Sequence, residues 1–162
     1  MQRMSSRNRA LGAVMLAAMA AASMSCRKTY EPGLGELMSL TQMRHVKLWF
    51  AGQAQNWRLA EYELDELQEG FDDVVRFHPT HKDSPLPLSA LVPKIMNQPL
   101  GDMRAAVMAH DTSSFVTAYD AVTAGCNSCH QATNFGFNTV RRPTSASWFG
   151  NQEFSPRDGS AR

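Results

Sequence analysis

The chain has 162 residues, 43% hydrophobic and 19% charged, and its 16 Lys and Arg against 15 Asp and Glu give a formal net charge of +1. That is enough chain for one core and too little for two. The balanced charge argues against a nucleic-acid partner and against a disordered acidic chain. No apolar run reaches the roughly 18–20 residues of a membrane-spanning helix. Three cysteines are too few to staple a fold, so they need a chemical explanation.

Residues 1–25 read as an export signal. Arg3, Arg7 and Arg9 come without an acid, an Ala-rich apolar stretch fills 10–22, and the small Ser23 and Ser25 follow. This is the positive, apolar, small-residue layout of a secretory leader, and it predicts a periplasmic protein. Cleavage has two candidate sites. One lies after Ala22. The other lies just before Cys26, which would then carry a lipid and anchor the protein to a membrane. Ser23 stands where a lipobox usually has Leu, yet Cys26 is otherwise an unpaired thiol in an oxidising compartment. Loss of residues 1–25 removes three arginines and no acid, taking the net charge from +1 to −2.

Residues 26–33 read as a tether, and 34–137 as the folded domain. Leu34, Met38, Thr41, His45, Leu48 and Gly52 recur at helical spacing and predict a first helix over 34–52. Glu36, Met43, Lys47 and Phe50 take its other face. A turn follows, with Asn56 as N-cap of a second helix from Trp57 to about Val75. The packing stripe of that helix is Trp57, Ala60, Leu64, Leu67, Phe71 and Val74. Glu61, Glu63, Asp65, Glu66, Glu69, Asp72 and Asp73 cover the rest, either as a solvated face or as a dock for a basic redox partner.

The proline-rich 78–88 is a loop, in which His78 and His81 form a candidate metal pair. A third helix over 89–110 is expected to break or kink at Pro99. Asp111 to Ser113 offer N-caps for a fourth helix, which carries Phe115, Tyr119, Val122, Cys126 and Cys129 on one side. The tail 138–162 reads as irregular. Trp49, Trp57 and Trp148 read as packing residues. Four helical segments with short connections predict an all-α antiparallel four-helix bundle.

Cys126-Asn127-Ser128-Cys129-His130 is C-x-x-C-H, the attachment signature of c-type haem. Two thiols one helical turn apart reach both vinyl groups of one porphyrin edge, and the adjacent His offers a neutral nitrogen to iron. A redox disulfide would normally sit at the start of a helix after a strand, and no strand pattern is present. A zinc site would need a second half-site, which the chain lacks. Buried free thiols are disfavoured in an exported protein.

The motif falls on the last helix. Residues 115–137, FVTAYDAVTAGCNSCHQATNFGF, resemble the class II cytochromes, the cytochrome c-prime group, whose four-helix bundles carry C-x-x-C-H on the last helix. The resemblance implies one covalent haem c, held through Cys126 and Cys129 with His130 as proximal ligand on iron. It implies a one-electron carrier working with redox partner proteins, or alternatively a five-coordinate haem protein that binds nitric oxide or carbon monoxide, and it allows a homodimer. No enzymatic role is expected, since a peroxidase needs a distal acid–base pair and His45 alone is in view.

The first helix offers Met38, Met43 and His45 as sixth ligands. Met43 shares a face with Glu36 and Lys47. Met38 and His45 are alternatives on the core stripe, separated in depth by about 10 Å at 1.5 Å per residue. Counting inward from both helix ends in an antiparallel bundle puts Met38 at the depth of the motif. Arg141 and Arg142 are candidates for haem propionates, and Tyr119 for the pocket wall.

Overall fold

A computed structural model describes residues 30–146 and 151–156. The leader, Cys26 and Trp148 lie outside the described residues. Four helices pack as an antiparallel bundle: α1 Leu34–Gln53, α2 Trp57–Phe77, α3 Leu88–Met108 and α4 Thr112–Ala132. Each helix contacts the next in sequence, and α1 also meets α4. Among the described residues there is no strand, and no helix is long and apolar enough to cross a membrane.

The expected caps form. Asn56 accepts a hydrogen bond from the Leu59 amide at 3.2 Å and opens α2. Asp111 accepts from the amides of Ser113 and Ser114 and opens α4. These side chains occupy donors that the first helical turn leaves without a partner. The C-termini of α1, α3 and α4 share one solution. Gln55, His110 and Asn134 each adopt positive φ, and the following amide reaches back to the helix (Asn56 to Ala51, Asp111 to Ala106, Phe135 to His130). This is the Schellman closure, here without glycine.

All six residues of the α2 stripe are buried, and on α1 the buried set is Leu37, Thr41, His45, Leu48, Ala51 and Gly52. The expected break at Pro99 does not occur: α3 runs through both Pro93 and Pro99. Leu91, Val92 and Met96 before Pro99 share one buried face with Leu100, Met103, Ala106 and Val107 after it. Burying each such side chain stabilises by roughly 1.5–3 kcal/mol, which outweighs about 3 kcal/mol for each interior proline.

Gly52 marks a close approach of α1 and α4. A Cβ there would lie 2.1 Å from the Phe115 ring, which is itself fully buried. Gly52→Ala is therefore expected to destabilise the fold by about 1–3 kcal/mol through overpacking. Chemical denaturation of the two chains measures this directly.

Candidate haem site

At one end of the bundle the start of α1, the end of α2, the start of α3 and the end of α4 surround a cavity of about 460 Å³. That is within the range of small-molecule and cofactor sites. Cys126, Cys129 and His130 line it from α4, and Met38 and His45 line it from α1. Phe71, Val74, Val92 and Met96 supply apolar wall, and the 81–84 loop with Phe135 closes the rim. The sequence motif and its candidate distal residues thus share one cavity.

The two thiols are free rather than joined. Burial pushes Cys126 up to about 12 and raises Cys129 as well. They sit in the last turns of α4, at the negative end of the helix dipole. That is the reverse of a reactive C-x-x-C, where a helix N-terminus depresses the thiol. Among the described residues, no three His, Cys, Asp or Glu side chains converge on one point. The donor set is spread across an apolar wall, which suits a flat macrocycle held at its edge better than a compact chelated ion.

His130 is half-buried, and its Nδ1–H donates to the Asn138 carbonyl at 2.6 Å. A carbonyl only accepts, so in the neutral ring the lone pair is on Nε2. A ring N–H held by a backbone carbonyl is the usual support for a metal-ligating histidine. The residues present fit a covalently held haem.

His45 is the buried histidine of α1, 2% exposed. Both of its nitrogens are engaged by α4: Nε2 lies 3.0 Å from the Thr123 hydroxyl and Nδ1 lies 2.9 Å from the Tyr119 hydroxyl. Thr123 donates its own proton to the Tyr119 carbonyl. Nε2–H therefore donates to Thr123, and Nδ1 accepts from Tyr119. Burial lowers His45 to about 4 and raises the Tyr119 phenol. Its hydrogen-bond partners thus come from α4 and not from the acidic α2. Glu63, the buried acid of α2, pairs instead with Lys47 at 3.6 Å.

Tyr119 is fully buried beside His45 and Trp49 and does not line the cavity. Arg142 forks onto Asp120 and lies over the Trp49 ring. Neither Arg141 nor Arg142 is among the cavity-lining residues. Met43 is half-buried and also stands outside the cavity. His78 and His81 serve separate purposes. His78 donates from Nε2 to the Pro32 carbonyl at 2.8 Å, while His81 meets Phe135 edge-on at the cavity rim.

Sequence reasoning missed the part played by the tail. Asn138 and Val140 line the cavity, and the segment turns back along α4 to reach Arg142. Its contacts are made by irregular backbone, for which sequence carries no periodic signal. No protein-family model, no curated protein and no solved structure matches this chain.

Proposed function

We propose that the chain is an exported monohaem c-type cytochrome of the class II kind, carrying one electron at a time between redox partner proteins. The supporting observation is an apolar cavity that collects Cys126, Cys129 and His130 from one helix and Met38 from the facing one. In this reading the two cysteines would hold haem c covalently, and His130, through Nε2, and Met38 would be the residues that ligate its iron. A bound haem supplies one-electron cycling between ferric and ferrous iron. The chain orients and shelters it. The Asn138 carbonyl fixes the His130 tautomer, and Phe71, Val74, Val92 and Met96 keep water from the apolar wall. The exposed Glu61, Asp65, Glu69 and Asp72 of α2 suit a basic partner. The leader-like residues 1–25 support export to the periplasm, and Cys26 is where lipid would anchor it.

The test is an optical spectrum of chain matured with haem, oxidised and reduced, with and without carbon monoxide. The expected result is a haem that stays with the chain after denaturation and a low-spin spectrum that carbon monoxide leaves unchanged. A spectrum that shifts with carbon monoxide would replace electron transfer by gas binding as the function. Absence of haem from chain produced alongside the maturation machinery would overturn both.

A further inference from the structure

We propose that Asn127, the first of the two variable residues inside the motif, is a positioning residue for His130, acting through the C-terminal segment. The inference rests on the haem reading above and assigns a task to Asn127, which that reading leaves without one.

Asn127 is half-buried on α4, three residues before His130, so the two side chains rise from neighbouring rows of the helix. Its amide closes a two-bond ring with the backbone of Val140: Asn127 Nδ2–H donates to the Val140 carbonyl at 2.8 Å, and the Val140 N–H donates to Asn127 Oδ1 at 2.8 Å. Only a side chain with one donor and one acceptor at this reach satisfies both backbone groups. Two residues earlier in the segment, the Asn138 carbonyl takes the His130 Nδ1–H.

The segment has no regular secondary structure, so no helix or sheet ladder locates that carbonyl. Side-chain and turn contacts do. The Asn138 amide bonds to the Phe135 carbonyl at 2.8 Å on one side, and Arg142 forks onto Asp120 on the other. The Asn127 pair stands between them, two residues beyond the acceptor that matters. Asn127 thus sets where the carbonyl sits, and the carbonyl sets the angle and basicity of the imidazole. A firmly held Nδ1–H makes Nε2 the stronger donor, which favours the more positive oxidation state of a bound metal. Loosening it raises the reduction potential.

The experiment compares wild type, Asn127→Ala, Asn127→Asp and Gly52→Ala, all matured with haem. Two quantities are read: solvent exchange of the His130 ring N–H by NMR of the reduced protein, and the reduction potential. Wild type is expected to exchange slowly. Asn127→Ala is expected to exchange at least tenfold faster, with a higher potential. Asn127→Asp keeps the acceptor for the Val140 N–H but turns a carboxylate on the Val140 carbonyl, and is expected to speed exchange likewise, while its added negative charge opposes the rise in potential. Gly52→Ala weakens the bundle from its far end and is expected to leave both quantities at wild-type values, which separates positioning from loss of stability.

Unchanged exchange and potential in Asn127→Ala would overturn the inference and leave the haem reading standing. Equal shifts in Gly52→Ala would also overturn it, because the effect would then follow stability. Should the Asn127 variants fail to fold, the wild type decides: a His130 ring N–H that exchanges as fast as an exposed imidazole refutes the proposal. Wild type that loses its haem on denaturation removes the haem reading and this inference together.

Discussion

Met38→Ala, matured with haem, is expected to turn a spectrum indifferent to carbon monoxide into one that shifts on its addition. Its reduction potential is expected to fall by on the order of 0.1 V, a modest share of the roughly 0.8 V that axial ligands span, because a thioether ligand favours ferrous iron. The register of α1 against α4 decides between the two candidate ligands. His45 on α1 is bonded to Tyr119 and Thr123 on α4, so in this antiparallel pair position 45 stands level with the interval 119–123. Seven residues toward the start of α1 carry the level seven residues toward the end of α4. Met38 therefore stands opposite Ser128, between the two motif cysteines. His45 is about 10 Å deeper along the axis, and ligation would cost it the bond from Nε2 to Thr123. His45→Ala is accordingly expected to leave the spectrum insensitive to carbon monoxide. The opposite pattern, an open site in His45→Ala and a closed one in Met38→Ala, would overturn this register.

The helical frame was legible because it is written in periodic and local signals. The α2 stripe reads directly from Trp57 to Val74. Asn56 and Asp111 cap because a short polar side chain before an apolar run has one favourable use there. The motif could be placed at one end of the bundle by counting from those caps. What stayed hidden depends on contacts between segments distant in sequence. Pro99 reads as a break because a local rule cannot weigh the buried face that α3 shares across it. Arg142 reads as a candidate for a haem propionate, and nothing in the sequence points to its contacts with Asp120 and Trp49. The partner of His45 lies 74 residues away, and no spacing rule points to it. The described residues of the tail, 138–146 and 151–156, carry no helix or strand. Their carbonyls nevertheless act at the site, and backbone groups carry no residue-type signal to find them by.

Stability is expected to fall by about 3 kcal/mol between pH 6.5 and about 4 through His45 alone, whose ordinary value of 6.5 burial lowers to about 4. The sign follows from linkage. In this window the unfolded chain binds a proton at position 45 that the folded chain excludes, so acid favours unfolding. The contribution is fully present above pH 6.5 and is lost as pH falls through the folded value. The hydrogen bonds do not oppose protonation. With both ring nitrogens donating, Tyr119 can pass its proton to the His45 carbonyl, 3.0 Å away, and Thr123 already donates to the Tyr119 carbonyl. The cost is therefore desolvation of the imidazolium. Glu63 works in the other direction: burial raises its carboxyl despite Lys47, so folding takes up a proton there as pH falls and gains stability. The wild-type pH profile is a sum of opposed effects, and only a difference isolates the histidine. His45→Phe keeps a ring in the core, and Tyr119 retains the backbone carbonyl of position 45 as an acceptor. Urea unfolding of wild type and His45→Phe across this range is expected to show their difference in unfolding free energy changing by about 3 kcal/mol, with wild type losing more toward acid. A difference that stays constant with pH would mean that His45 is charged as readily in the folded chain as in the unfolded one, and that its burial between α1 and α4 is not what the bundle maintains in solution.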